Sequence, residues 1–595
     1  MNLYKLLKIK MMLNRKSFHY PLMKNLFVSF IFMSSIGLLA QNKDTLHTQE
    51  INIIKSYKPT VSDAFKIKSN PKLKASDSIK KHPVNYRIFS FPVASTFTPS
   101  KGKAKNIVRE PQPRLYDNYV SAGFGNYSSP MIEAYIHTQT NRDNDFGLFL
   151  KHNSSKDGVK DALLDSKFST SDIALYYKQF DRDYDWKLDA GYQRKQQNFY
   201  GIPSTVLFTP TFFDNLDLTQ TFNTINVGGA INFYDFFLTN ITTQISNFSD
   251  AFDSNEIHLL VKPTIELPIS TELINTVISI EMLSGKFKQG YANTSELKNN
   301  FLNLGINPNL EVRRDNLTFN LGVKTYYSMD LEQKENTFYA YPNITASLRV
   351  LDDAFILIGG VTGDLIQNSY QTFADENPWV SPTLSILPTD NQYNGYIGAK
   401  GKLASNISYQ GKITYSNTKN KAMFIHNEIQ TNGSLEISDI YRAENSFNVV
   451  YDDVKSIHFN GEINVKVSKE ISFGGTVDYV NYTPTKFSEV WNTPTLKAAA
   501  FANFQHNKWF GSAKLFYESD KKDIVVPFGQ NASLITATEI DAFVDVNLNF
   551  GYIFSDRLTA FVKANNITNS HYERFLNYQV QGAQFLGGIT YKFDL

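Results

Sequence analysis

From Asn118 to the C-terminus, apolar residues recur at every second position in one short stretch after another, with polar turns between. In QFLGGITYKF the set Phe585, Gly587, Ile589, Tyr591 and Phe593 is apolar, and the opposite set is polar apart from Leu586. In FVDVNLNFGY, Val544, Val546, Leu548, Phe550 and Tyr552 oppose Phe543, Asp545, Asn547, Asn549 and Gly551. In WFGSAKLFYE, Trp509, Gly511, Ala513, Leu515 and Tyr517 oppose Phe510, Ser512, Lys514, Phe516 and Glu518. The stretch GYIGAKGKLA is softer, with Tyr396, Gly398 and Lys400 set against Ile397, Ala399 and Gly401. A period of two means strands with one greasy face. We count about 24 of them and no long amphipathic helix. One sandwich does not hold that many strands, whereas closed membrane barrels run even-numbered from 8 to beyond 26.

Composition agrees with lipid on one face only. The chain of 595 residues carries 46 Phe and 33 Tyr, yet its mean hydropathy is −0.30. A helical membrane protein needs long unbroken apolar spans. A barrel meets lipid with alternate residues and girdles both interfaces with aromatics. Zero cysteine excludes disulfides, Cys-ligated zinc, a thiol nucleophile and lipid attachment at an N-terminal Cys. The continuous apolar run from Leu26 to Leu39 follows Lys24 and ends at Gly37-Leu38-Leu39-Ala40. It reads as a signal peptide over residues 1–40, cleaved between Ala40 and Gln41, with Met23 as the alternative start to Met1. An uncleaved membrane anchor is the competing reading. Export with no later apolar span, combined with a barrel, points to an outer membrane of the Gram-negative type.

Connections fall into two classes that alternate along the chain. Short ones include Asp181 to Asp185, Ser468 to Glu470, His506 to Lys508 and Phe554 to Arg557; long ones begin at Asn198 and Asn368. Membrane barrels have short periplasmic turns and long outer loops. The expected fold is therefore all-β: a transmembrane antiparallel β-barrel over 118–595 of 22 or 24 strands, the ambiguity lying in Asn417 to Val454. Ahead of it, residues 41–117 form an extended periplasmic or luminal arm rich in Lys, Pro and Ser. This arm holds 15 basic and 6 acidic residues, a net of +9, while the barrel part is −13. Such an arm suits an acidic lumen, anionic lipid or periplasmic proteins; a solvated tail is the plain alternative.

The closing segment carries more. After the penultimate strand comes Asn565-Asn566-Ile567-Thr568-Asn569, followed by Tyr572, a Gln581-Gly582 step, and a final strand ending in Tyr591 and Phe593. This ending resembles the barrels of TonB-dependent receptors. The resemblance implies 22 strands, outer-membrane transport, outer-membrane lipid around the barrel, and a terminal aromatic signal, Tyr591 and Phe593, read by the barrel-assembly machinery. It also implies a folded plug ahead of the barrel. Residues 41–117 are short, basic and without the alternation of a plug, so the expectation is a plugless relative. TonB would add a strand at a short extended segment; the best candidate is Glu50, Ile51, Asn52, Ile53 and Ile54, with an ordinary linker as the alternative.

No enzyme chemistry stands out. The ten histidines are scattered with no pair at i,i+2 or i,i+4, and no GxSxG, HExxH or Walker loop is present. Asp181, Asp183 and Asp185 resemble the start of a calcium loop, but WKLDAGY follows without the Gly and Glu such a loop needs. We expect no enzyme, no cofactor, no metal and no nucleic-acid partner. The long loops place Phe208, Phe212, Phe213 and Trp379 as candidate ligand contacts at the barrel mouth; mutual packing that holds the loops shut is the alternative. The function expected is passage of a solute across the outer membrane. The alternative is a non-transporting barrel subunit of an outer-membrane assembly or secretion complex.

Overall fold

The computed structural model describes residues 114–595 apart from 204–206, 210, 270–271, 429, 432–433, 435 and 526–535. The expected signal peptide with its Ala40–Gln41 junction, the segment Glu50 to Ile54, and the arm as far as residue 113, hence the question of a plug, lie outside the described residues.

Twenty-two antiparallel strands form one closed sheet. The first strand, Asn118–Gly125, pairs with Ser129–Asn141 on one side and with the last, Gln584–Phe593, on the other. At this seam Val120 lies opposite Tyr591 and Gly123 opposite Gly588. Closure leaves no strand edge, so the wall's backbone groups can pair within the sheet, which lipid demands. The segment 417–454 resolves as two long wall strands, Ile407–His426 and Phe447–Lys466, joined by one outer loop. The remaining four short strands pair off in outer loops as two ribbons, Lys521–Val525 with Thr536–Ile540 and Glu573–Phe575 with Tyr578–Gln579. Among the described residues no helix is long and apolar enough to cross a membrane.

The alternation places each face. Ile306, Ile397 and Ile589 are 55%, 60% and 55% exposed on the outer wall, as lipid-facing residues are in a barrel seen without lipid. Ser121, Thr224 and Asp545 point inward and are buried. The soft stretch around Tyr396 follows the same rule: Ile397 faces out, and Tyr396 faces in, with Lys412 Nζ 5.4 Å from its ring centre.

The long loops, with short turns such as 126–128 and 331–334, fall at one end; at the other, which holds both the start of the first strand and the C-terminus, every described turn is short, and those turns mark the periplasmic end by the usual barrel polarity. Asp235, Asp315, Asp352 and Asn507 occupy them at φ of 56°, 38°, 41° and 51°. Asp and Asn tolerate this left-handed conformation because their short side chains bond locally. Near two of these turns the outer wall carries an aromatic chain: Trp509 to Tyr552 at 4.4 Å between ring centres and Tyr552 to Phe554 at 4.8 Å. This is the girdle expected at a lipid–water boundary.

Strands Ile407–His426 and Phe447–Lys466 have 20 residues each, twice the ~10 a tilted crossing needs. Their outer halves stand above the membrane, and Phe424, Phe447 and Val449 there are buried. Against them the long loops fold into the mouth.

Candidate functional site

The outer mouth is closed by a cap built from the loops 199–218, 367–388, 427–446 and 566–583. Its centre is the loop 367–388. That loop contains a short helix, Tyr370–Glu376, started by a capping box: Ser369 Oγ accepts from Thr372 N, and Thr372 Oγ1 from Ser369 N. Tyr370, Phe373 and Ala374 recur at i, i+3 and i+4, so one helix face is apolar and buried.

The wall holds this helix by its N-terminus. Glu256, on the strand Asn255–Ile269, accepts from the backbone N–H of Tyr370 at 2.6 Å and of Gln371 at 3.1 Å. A carboxylate here satisfies two orphan donors and complements the helix dipole. The Tyr370 hydroxyl donates to Asp250 at 2.8 Å. Burial pushes the Asp250 carboxyl up, against hydrogen bonds from Ser254, Tyr370 and Phe252 that pull it down.

Beneath these polar contacts lies an apolar core. The Tyr370 ring meets Phe248 at 5.1 Å and Phe287 at 5.0 Å, both nearly edge-on and both on the wall. Across the mouth, Trp379 stacks on Tyr578 at 3.8 Å and 20°, and its Nε1–H donates to Asn198 O at 3.1 Å. Tyr578 is wholly buried, and its hydroxyl donates to Asn445 O. Val380 makes a parallel bridge to Phe447, with Phe447 N donating to Trp379 O at 3.1 Å. Side chains of the wall close the rim: Lys195 reaches Asp375 at 2.5 Å, and Ser246 donates to Gln371 at 2.7 Å.

Within this frame Trp379 sits in the cap's interior, 9% exposed. Phe208, Phe212 and Phe213 meet one another at 4.9 to 5.0 Å and are half-buried, with Phe213 against the core. The structure thus joins Trp379 and Phe213 to one cluster. Tyr591 and Phe593 lie at the periplasmic end of the outer wall, ring centres 6.2 Å apart. Sequence reading missed Tyr370, Tyr441, Phe447 and Tyr578, the buried heart of the cap. For the first, the helical spacing in SYQTFADE was available as a signal.

The motif residues of the closing segment have structural roles. Asn566 and Asn569 take positive φ, at 47° and 51°. Asn566 Nδ2 donates to Ser570 O and Gln581 O, closing the loop's neck. Tyr572 stacks flat on Phe543 at 3.7 Å and donates to Asp545 at 2.8 Å. Gln581 Nε2 donates to Ser155 Oγ at 2.8 Å.

The cap leaves one side open. Between its edge at Glu376 and the wall near Lys497, Glu518 and Phe543 lies a cavity of about 440 Å³. Among the described residues no cluster of three metal-ligating side chains occurs. The acidic turn is periplasmic, with Asp185 accepting from Asn232 at 2.6 Å and from the Tyr234 hydroxyl.

No family model matches the sequence, and no curated relative does. Solved structures match the fold. The FrpB iron transporter of Neisseria meningitidis (F3-3 variant) superposes with a TM-score of 0.60 at 9% identity, over 81% of this chain and 82% of that one. The siderophore receptor PirA of Acinetobacter baumannii gives 0.59 at 11%, over 80% of each chain. The ferric-catecholate import receptor Fiu of E. coli K12 gives 0.55 at 9%, over 81% and 82%. These are a transporter and two receptors, none an enzyme. The 22-stranded wall thus has the fold of these proteins, a closed antiparallel β-barrel with a lipid-facing outer belt.

Proposed function

We propose that this chain is an outer-membrane transport receptor that passes a solute through its barrel, with the loop cap as the outer door. One observation carries the reading. The cap carries its own helix, shares its apolar core with the upper wall on one side, and is tied there by polar contacts such as Lys195–Asp375 and Ser246–Gln371, while a cavity stands between its other edge and the wall. The structural neighbours, an iron transporter and siderophore receptors by name, support transport as the class; the solute is not inferred from them. Engagement of TonB or another periplasmic protein by Glu50 to Ile54, and insertion by the barrel-assembly machinery through Tyr591 and Phe593, belong to the same proposal.

The absence of native cysteine allows a direct test. Ser246→Cys with Gln371→Cys, bridged by a short bis-maleimide, ties the cap to the wall. In planar bilayers the untied protein is expected to show intermittent openings, and the bridged protein to lose them. Silence of both forms overturns transport.

A second reading has its own support. Tyr370, Tyr441, Phe447 and Tyr578 are at most 1% exposed, so opening the cap uncovers an apolar core. A barrel so closed suits a non-transporting subunit of an outer-membrane assembly. That reading expects silence together with stoichiometric recovery of other membrane proteins from native membranes.

A further inference from the structure

The cavity beside the cap has a chemistry of its own. Four outer connections, one of them bringing Asn492 to Pro494, and three wall strands supply it. The wall gives Lys497, Phe516, Glu518 and Phe543; the loops give Glu376, Lys521 and Arg574.

Most of its charges are already matched. Glu518 takes both lysines, Lys521 Nζ at 2.8 Å and Lys497 Nζ at 3.8 Å. Lys521 also donates to Arg574 O at 2.7 Å, which fixes the Arg574 backbone at the cavity. Two charges remain. Arg574 and Glu376 are exposed, both line the cavity, and neither makes an ion pair among the described residues. They are of opposite sign and do not pair with each other.

One wall between them is aromatic and held rigid. Phe543 and Tyr572 stack at 3.7 Å with planes 3° apart, Phe516 meets Phe543 edge-on at 5.9 Å, and Asp545 pins the Tyr572 hydroxyl. Phe575 completes this side, with Lys521 Nζ 5.5 Å from its ring centre. Small-ligand sites combine such an apolar surface with a few placed polar groups, in volumes of roughly 300–1,000 Å³. At about 440 Å³ this cavity is of that size.

We propose that the cavity binds a zwitterionic solute with an apolar or aromatic body, in chemical terms a short peptide or amino acid with free ends. Arg574 takes the carboxylate as a two-pronged donor, Glu376 takes the ammonium, and the Phe516, Phe543 and Phe575 surface takes the side chain. This deepens the transport reading by naming a solute class; the binding claim itself stands without flux.

The test uses the full chain purified in detergent and the dipeptide alanyl-phenylalanine, followed by titration calorimetry. Saturable binding is expected. The N-acetyl form and the C-terminal amide should each bind at least about ten-fold more weakly, the factor that 1.4 kcal/mol provides. Arg574→Ala should weaken the free dipeptide by a similar factor and no longer tell the amide from the acid. Glu376→Gln should no longer tell the acetylated form from the free one, and Arg574→Lys should keep part of the affinity. Both positions are exposed, and retained heat-modifiable gel mobility will show that each variant is folded. Absence of saturable binding, equal affinity for all three ligands, or wild-type behaviour of both variants overturns the site. Binding without flux into liposomes would sink transport and leave the site standing; flux of the dipeptide without binding at Arg574 would do the reverse.

Discussion

At the residue scale the cap rests on a few side chains whose burial has measurable consequences. Trp379 is the largest of them, stacked on Tyr578 and edge-on to Tyr200 at 5.7 Å. Truncating a buried aromatic removes its burial and leaves a cavity, typically at a cost of about 3–5 kcal/mol. Trp379→Ala should therefore loosen the cap by that order while the membrane-crossing part of the wall, held by its own ladder of hydrogen bonds, stays folded. Amide hydrogen exchange should show faster exchange over 370–386 and no change in the strands; protection left intact in 370–386 would refute the central role of Trp379. Glu444 acts through its charge. It is 2% exposed, one of its carboxylate oxygens has no partner, and burial pushes its carboxyl up to about 8. Its folded value lies above its unfolded one, so the unfolded loop gives up the proton first as pH rises. The stabilising contribution is complete below about pH 4.5 and is lost progressively up to about pH 8. Cap protection should fall between pH 5 and 8, by up to about 1.4 kcal/mol per pH unit. Glu444→Gln should flatten that dependence, and an unchanged slope in the variant would assign it elsewhere.

At the scale of elements, what could be read from the sequence divides by range of contact. The strands and their facing were legible because period two is a local property: Val544, Leu548 and Phe550 face out on the strand Phe543–Ile553 whatever their neighbours are. The turns were legible because Asp315 or Asn507 announces a left-handed position within two residues. The cap was not. Trp379 meets Tyr578, Gln197 donates to Pro378 O, and Asn445 O accepts from Tyr578, contacts that join segments more than a hundred residues apart. The cavity is hidden for the same reason, since Glu376 and Arg574 come from separate connections and Lys497 from a wall strand. Closure of the wall also depends on a long-range detail. At Gly588 an added Cβ would stand 2.6 Å from Ala122 O and 3.0 Å from the Cα of Gly123, on the first strand. Gly588→Val should thus obstruct the seam where the chain's two ends meet. The expected outcome is loss of the heat-modifiable folded species from membranes; normal recovery of a folded barrel would show that the seam yields without cost.

At the scale of the whole molecule the charge is unevenly placed. The connections at the outer end carry 21 acidic against 10 basic residues, a net of −11, so nearly all of the barrel part's −13 stands around the mouth. A field of one sign at a pore entrance concentrates counter-ions there. Replacing 370–386 by a Gly-Ser linker removes the helix, Trp379 and the bridge to Phe447, and with them the contacts that hold the four loops together. The cap-less chain should form a steady pore in planar bilayers, and a salt gradient across it should give a reversal potential of the sign for cation preference. Raising the salt from 0.1 to 1 M shortens the screening length from about 10 to about 3 Å, so that preference should fade. A variant also lacking residues 41–113 separates two sources of closure. If the cap is the door, both variants conduct alike; if only the doubly shortened chain conducts, the N-terminal segment is what blocks the lumen. Anion preference in either variant would mean that the mouth's acidic loops do not govern entry, because a surface net of −11 cannot by itself draw anions in preference to cations.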